Sequence, residues 1–82
     1  MQERPLFHHA LAVVRAQAAL RIRNGHWTER GLARRLNVSQ AHIHNVLKGA
    51  RGLTPDLADA LLVVMEMDLE EVLIEAKVQL RQ

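Results

Sequence analysis

Thr28–Gly49 reads TERGLARRLNVSQAHIHNVLKG, and its apolar spacing and end residues prescribe two short helices joined by a tight turn. Ser39 is a strong N-cap, because its hydroxyl can accept from an orphan backbone N–H one turn on. Gly49 can close the same helix in a left-handed conformation. The helix so bounded runs from about Gln40 to Lys48. At about 100° per residue, Ile43, Val46 and Leu47 gather on one side. Ala41, His44, Asn45 and Lys48 share the opposite side, with Gln40 near its edge. One face is core, and the other is free to touch something.

The preceding segment behaves alike. Thr28 caps a helix over Glu29–Leu36 in which Leu32, Ala33 and Leu36 fall together, while Arg30, Arg34 and Arg35 point outward. Only Asn37 and Val38 separate it from the next cap. A link that short needs a residue tolerant of positive φ, which suits Asn37, and Val38 supplies an apolar peg beneath it.

This pattern resembles the helix-turn-helix of the phage lambda Cro and repressor family, the xenobiotic-response-element type. The residues that carry the likeness are Leu32, the small Ala33 where two helices approach, Leu36, Val38, Ser39, Ile43, Val46 and Gly49, with LTPDLADAL at 53–61 also fitting. It spans roughly Leu20 to Leu73, the extent of one such module. Three positions depart from it. Asn37 stands where glycine is usual, and Gly31 lies inside a helix at a cost of about 1 kcal/mol relative to Ala. Glu29 stands where a phosphate-contacting glutamine is common, and a carboxylate there repels the DNA backbone.

Bulk properties agree with a small helical domain. A chain of 82 residues forms one domain that buries only about 60 to 65% of its unfolded surface. Its one Phe, one Trp and no Tyr leave a core of Leu, Val, Ile and Ala, which favours packed helices over a sheet. The expected fold is all-α: a compact five-helix lambda-repressor-like domain with the helix-turn-helix formed by its second and third helices. No cysteine is present, so neither disulfides nor thiolate zinc sites contribute. No apolar run of about 18 residues exists, and Glu3, two histidines and Arg15 interrupt the amino-terminal segment. The expectation is a cytoplasmic protein with no membrane association.

The net charge of +2 conceals a polarity. Residues 1–52 hold nine Lys or Arg against Glu3 and Glu29, a net +7, whereas 53–82 hold Lys77 and Arg81 against seven acids, a net −5. A basic half that carries the paired helices suits a molecule with one face toward phosphates.

Outside the central stretch, a first helix is expected from near Pro5 to Arg23, stopped by Asn24-Gly25. Its main apolar stripe is Phe7, Leu11, Val14, Ala18 and Ile22, widened by Leu6, Ala10, Val13 and Leu20, while Arg15, Arg21 and Arg23 are expected in solvent. Trp27 reads as a core plug beside the Thr28 cap. Thr54 and Pro55 open a fourth helix with Leu57, Ala58, Leu61, Leu62 and Met65 inside. Asp68 and Glu71 form a capping box for a fifth, whose inner stripe is Leu69, Val72, Leu73, Ala76 and Leu80, with Ile74 and Val78 off-axis. The breadth of the first helix's apolar face and the length of the fifth predict a homodimer.

If the likeness holds, the third helix enters the major groove of double-stranded DNA. Gln40 and Asn45 are then the base readers, since each amide can donate and accept, as adenine N6 and N7 require. Ala41 packs on a thymine methyl, and His44 donates to a guanine acceptor or reaches a phosphate. Arg34, Arg35, Ser39, Lys48 and Arg51 are candidates for phosphate contacts that fix register.

Other chemistry is disfavoured. His42 and His44 lie about 200° apart around a helix and cannot share an ion, and adjacent His8 and His9 are no better. The only serine and both threonines sit at caps, so no enzyme, metal site or cofactor is expected. Three functions fit: a repressor-like regulator binding a palindrome as a dimer, an antitoxin that also represses its operon and offers its acidic helix to a toxin protein, and a protein-interaction module that has lost DNA.

Overall fold

Four helices of this protein end in the same way. In the computed structural model, which describes residues 6–81, α1 (Leu6–Arg23), α2 (Glu29–Leu36), α3 (Gln40–Leu47) and α4 (Pro55–Met65) are each followed by a residue at positive φ: Gly25, Asn37, Gly49 and Glu66. After each, two backbone N–H groups reach back to carbonyls of the last turn, as Asn37 to Arg34 O and Val38 to Ala33 O, at 3.2 and 3.0 Å. This pairing satisfies carbonyls that a helix end otherwise leaves orphaned. A final helix, α5 (Leu69–Leu80), completes the described residues, among which there is no strand.

The starts are equally local in origin. Thr28 Oγ1 accepts from Gly31 N–H at 2.9 Å, Ser39 Oγ from His42 N–H at 3.0 Å and Thr54 Oγ1 from Leu57 N–H at 3.2 Å. At α5, Asp68 N–H donates to Glu71 Oε1 at 2.8 Å, the return half of the expected capping box. Gly31 acquires a reason here. A Cβ at that position would stand 3.0 Å from Thr28 Oγ1, crowding the oxygen that caps the helix.

Glu66 is the exception among the four terminal residues, since a side chain in the left-handed region costs about 1 to 2 kcal/mol and a carboxylate at a helix C-terminus opposes the dipole. Glu66→Gly removes both penalties while adding entropy to the unfolded chain. The expected net gain is about 0.5 to 1 kcal/mol, visible as a higher urea midpoint with an unchanged slope; no gain would mean that Glu66 holds a contact worth as much as the strain.

The core is aliphatic. Ala10, Val13, Val14, Ala18, Leu32, Ala33, Ile43, Val46, Leu61, Val72 and Ala76 are all buried, and no polar side chain among the described residues is. Helix α1 is the central rod, packing against α5, α4 and α3, while α2 lies on α3 and α4. The assembly measures 42 × 22 × 20 Å. All five inner positions expected of α4 are buried, and Trp27 packs half-buried against the core.

Two expectations about faces need correction. On α1 the buried line is Ala10, Val13, Val14 and Ala18, while Phe7 is 57% exposed and Leu11 and Ile22 only half-buried. Small residues let α1 approach three neighbours at once, and a line led by Phe7 would hold them apart. The same rotation brings Arg15 and Arg21 out of full solvent. Arg21 donates to Gln17 Oε1 at 2.9 Å and lies 5.9 Å over the Trp27 ring, a cation–π contact. On α5, Leu69 is 55% exposed, so the buried stripe begins one turn later, at Val72 and Ala76. The expected start of α1 near Pro5 lies outside the described residues.

Candidate functional site

Because Ile43 and Val46 are sunk in the core and Leu47 is half-buried, the opposite side of α3 is left at the surface. Gln40, Ala41 and His44 are exposed there, and Asn45 is half-buried. These four expected base readers line a single shallow hollow, and the fifth member of its wall is Glu29 of α2. No other segment of the described chain roofs it.

The polar groups of this surface are only lightly committed. Gln40 Oε1 accepts from Arg30 Nε at 3.4 Å, a long contact in solvent that is easily exchanged. The Asn45 side chain makes no hydrogen bond among the described residues, whereas its carbonyl accepts from Ala50 and Arg51 N–H and so closes the end of α3. His44 is the most constrained. Its Nδ1 lies 3.1 and 3.2 Å from the two carboxylate oxygens of Glu29.

The candidate phosphate contacts are not part of the hollow's wall. Arg34, Arg35, Ser39, Lys48 and Arg51 are all exposed, as is Arg30. Among the described residues none of these cations is paired with a carboxylate. Ser39 spends its oxygen lone pair on His42 N–H, which leaves its hydroxyl hydrogen available to an outside acceptor. Arg34 and Arg35 sit at the rim of a second depression shared with His26 and Trp27. Arg51 is placed differently, because its Nη1 donates to His42 Nδ1 at 3.0 Å. That holds it on the flank of α3 away from His44.

Sequence spacing had no means of finding the Glu29–His44 contact, since the two are 15 residues apart and meet only when α2 and α3 pack. Nor did it show His9 Nε2 at 2.8 Å from Gln79 Oε1, which links α1 to α5. No helix among the described residues is long and apolar enough to cross a membrane.

Comparison of the chain with protein-family models, with curated proteins and with solved structures finds no match. Its surface is then the guide to its function. That surface carries an open polar hollow on α3, walled also by Glu29 of α2, and among the described residues the exposed arginines of α2 and Lys48 have no acidic partner.

Proposed function

We propose that α2 and α3 form a lambda-repressor-like helix-turn-helix and that the protein is a sequence-specific, DNA-binding transcriptional regulator. It acts in the cytoplasm as a homodimer, a repressor-like protein on a palindromic operator. The observation that carries this is the grouping of Gln40, Ala41, His44 and Asn45 on one accessible side of α3, with Arg34 and Arg35 exposed on α2 and Lys48 exposed at the end of α3. An α-helix fits the major groove, amides and imidazole match base edges, and unpaired guanidinium groups suit phosphates.

Salt dependence tests the reading. If each copy of a dimer places Arg34, Arg35 and Lys48 on phosphates, six contacts at about 0.9 each give a slope of about −5 in log affinity against log salt. Arg35→Ala should then weaken binding to all sequences alike and flatten the slope by about 1 per protomer. A slope near zero in fluorescence anisotropy would remove the phosphate contacts, and the DNA reading with them.

A second reading is favoured by α5. Ile74 and Val78 project from it at 57% and 49% exposure, beside the acidic residues of the same helix, and Phe7 and Leu69 flank an apolar groove between α1, α4 and α5. Such a face suits the second copy of a dimer, or a toxin protein if this chain is an antitoxin that also represses its operon. A protein-interaction module without DNA is the alternative that a flat salt slope would favour.

A further inference from the structure

The Glu29–His44 contact determines more than position. Carboxylate oxygens only accept hydrogen bonds, and both oxygens of Glu29 lie within 3.2 Å of His44 Nδ1, so that nitrogen must carry the hydrogen. In a neutral imidazole the remaining nitrogen is then a lone pair. His44 Nε2 makes no hydrogen bond among the described residues, and the side chain is 48% exposed, in the same hollow as Gln40, Ala41 and Asn45.

We propose that Glu29 is a positioning residue that locks His44 in the Nδ1–H tautomer, and that His44 is a specificity-determining acceptor whose partner in DNA is an exocyclic amine, adenine N6 or cytosine N4. This rests on the DNA-binding reading above. It differs from the expectation that His44 donates to guanine or reaches a phosphate, because guanine N7 and O6 and the phosphate oxygens are all acceptors. It also explains how a carboxylate is accommodated on a surface meant for DNA. Glu29 faces the ring and is turned to use within the protein, with Arg30 of α2 and Lys48 one turn along α3 as the cations on this side. Gln40 and Asn45 can both donate and accept, whereas a neutral His44 held by Glu29 offers Nε2 as an acceptor only.

The experiment has two arms, both on the full chain. In the first, protein labelled with ¹⁵N in histidine is examined without DNA at pH 8 by two-bond ¹H–¹⁵N correlation. His44 should show the Nδ1–H pattern, and Glu29→Ala should abolish that preference while the other histidines keep theirs. An Nε2–H pattern in the unmodified protein would overturn the proposal, whatever the protein does with DNA. In the second arm, a selected binding site is resynthesised with each adenine replaced by purine, and each cytosine by an analogue without its amine. One such replacement should weaken the unmodified protein about 5-fold, the worth of one hydrogen bond, and leave His44→Ala indifferent. Sequence-specific binding that no amine deletion weakens through His44 would overturn this inference alone. Failure of all sequence-specific binding would overturn the regulator reading and the base-acceptor role together, with the tautomer still decided by the first arm.

Discussion

Ile43→Ala should remove about 3 kcal/mol of folding stability, within the range of about 2 to 5 for truncating a buried Ile. Ile43 is only 1% exposed and sits on the inner side of α3, so its loss leaves a cavity under the helix that presents the candidate site. A domain of this length has about 4 to 12 kcal/mol in total. The substitution therefore approaches global unfolding, and DNA binding should fail with it. His44→Ala is the control one residue away: the side chain is exposed, its contact with Glu29 is a surface pair, and urea denaturation should place it within about 0.5 kcal/mol of the unmodified chain. Equal losses from the two changes would mean that α3 does not lie with Ile43 inside.

Asn45→Ala should separate recognition from stability. The Asn45 side chain has no hydrogen-bond partner among the described residues, and Ala is the better helix former by about 0.5 kcal/mol, so thermal unfolding should stay level or rise slightly. Discrimination at one base pair should fall by about 1 to 3 kcal/mol, the worth of one bidentate amide–adenine pair, while contacts to phosphate survive. The diagnostic comparison is binding to the preferred site and to each single-base variant of it. A loss that is uniform across variants would make Asn45 a backbone contact and not a reader.

Much of the fold is legible in the chain because its boundaries are set by neighbours in sequence. Thr28, Ser39 and Thr54 cap helices as hydroxyl residues do, each bonding an N–H three residues on. Asn37 and Gly49 take up positive φ as their residue types permit. Glu66 adopts the same conformation with no such permission. There the terminal bonds to Leu62 and Val63 outweigh the side-chain penalty, a balance that residue type alone does not display.

The rotation of α1 was hidden for another reason. Leu6, Phe7, Ala10, Leu11, Val13 and Val14 make most of its first turns apolar, so periodicity admits several inward faces. The choice among them falls to size, since Ala10 and Ala18 let α1 close on its neighbours and Phe7 does not. At the candidate site the outward side of α3 followed by elimination once Ile43 and Val46 were assigned inward. The part played by Glu29 did not follow. Sequence marked it only as an acid where DNA would prefer none, and the packing of α2 on α3 supplies its partner.

Selection of bound duplexes from a random library, with the full chain, tests the regulator reading most directly. The expected result is an inverted repeat whose half-site centres lie about 34 Å apart, with a base preference that Asn45→Ala relaxes at one position in each half. Recovery of duplexes with no shared sequence, or of none above background, would contradict it.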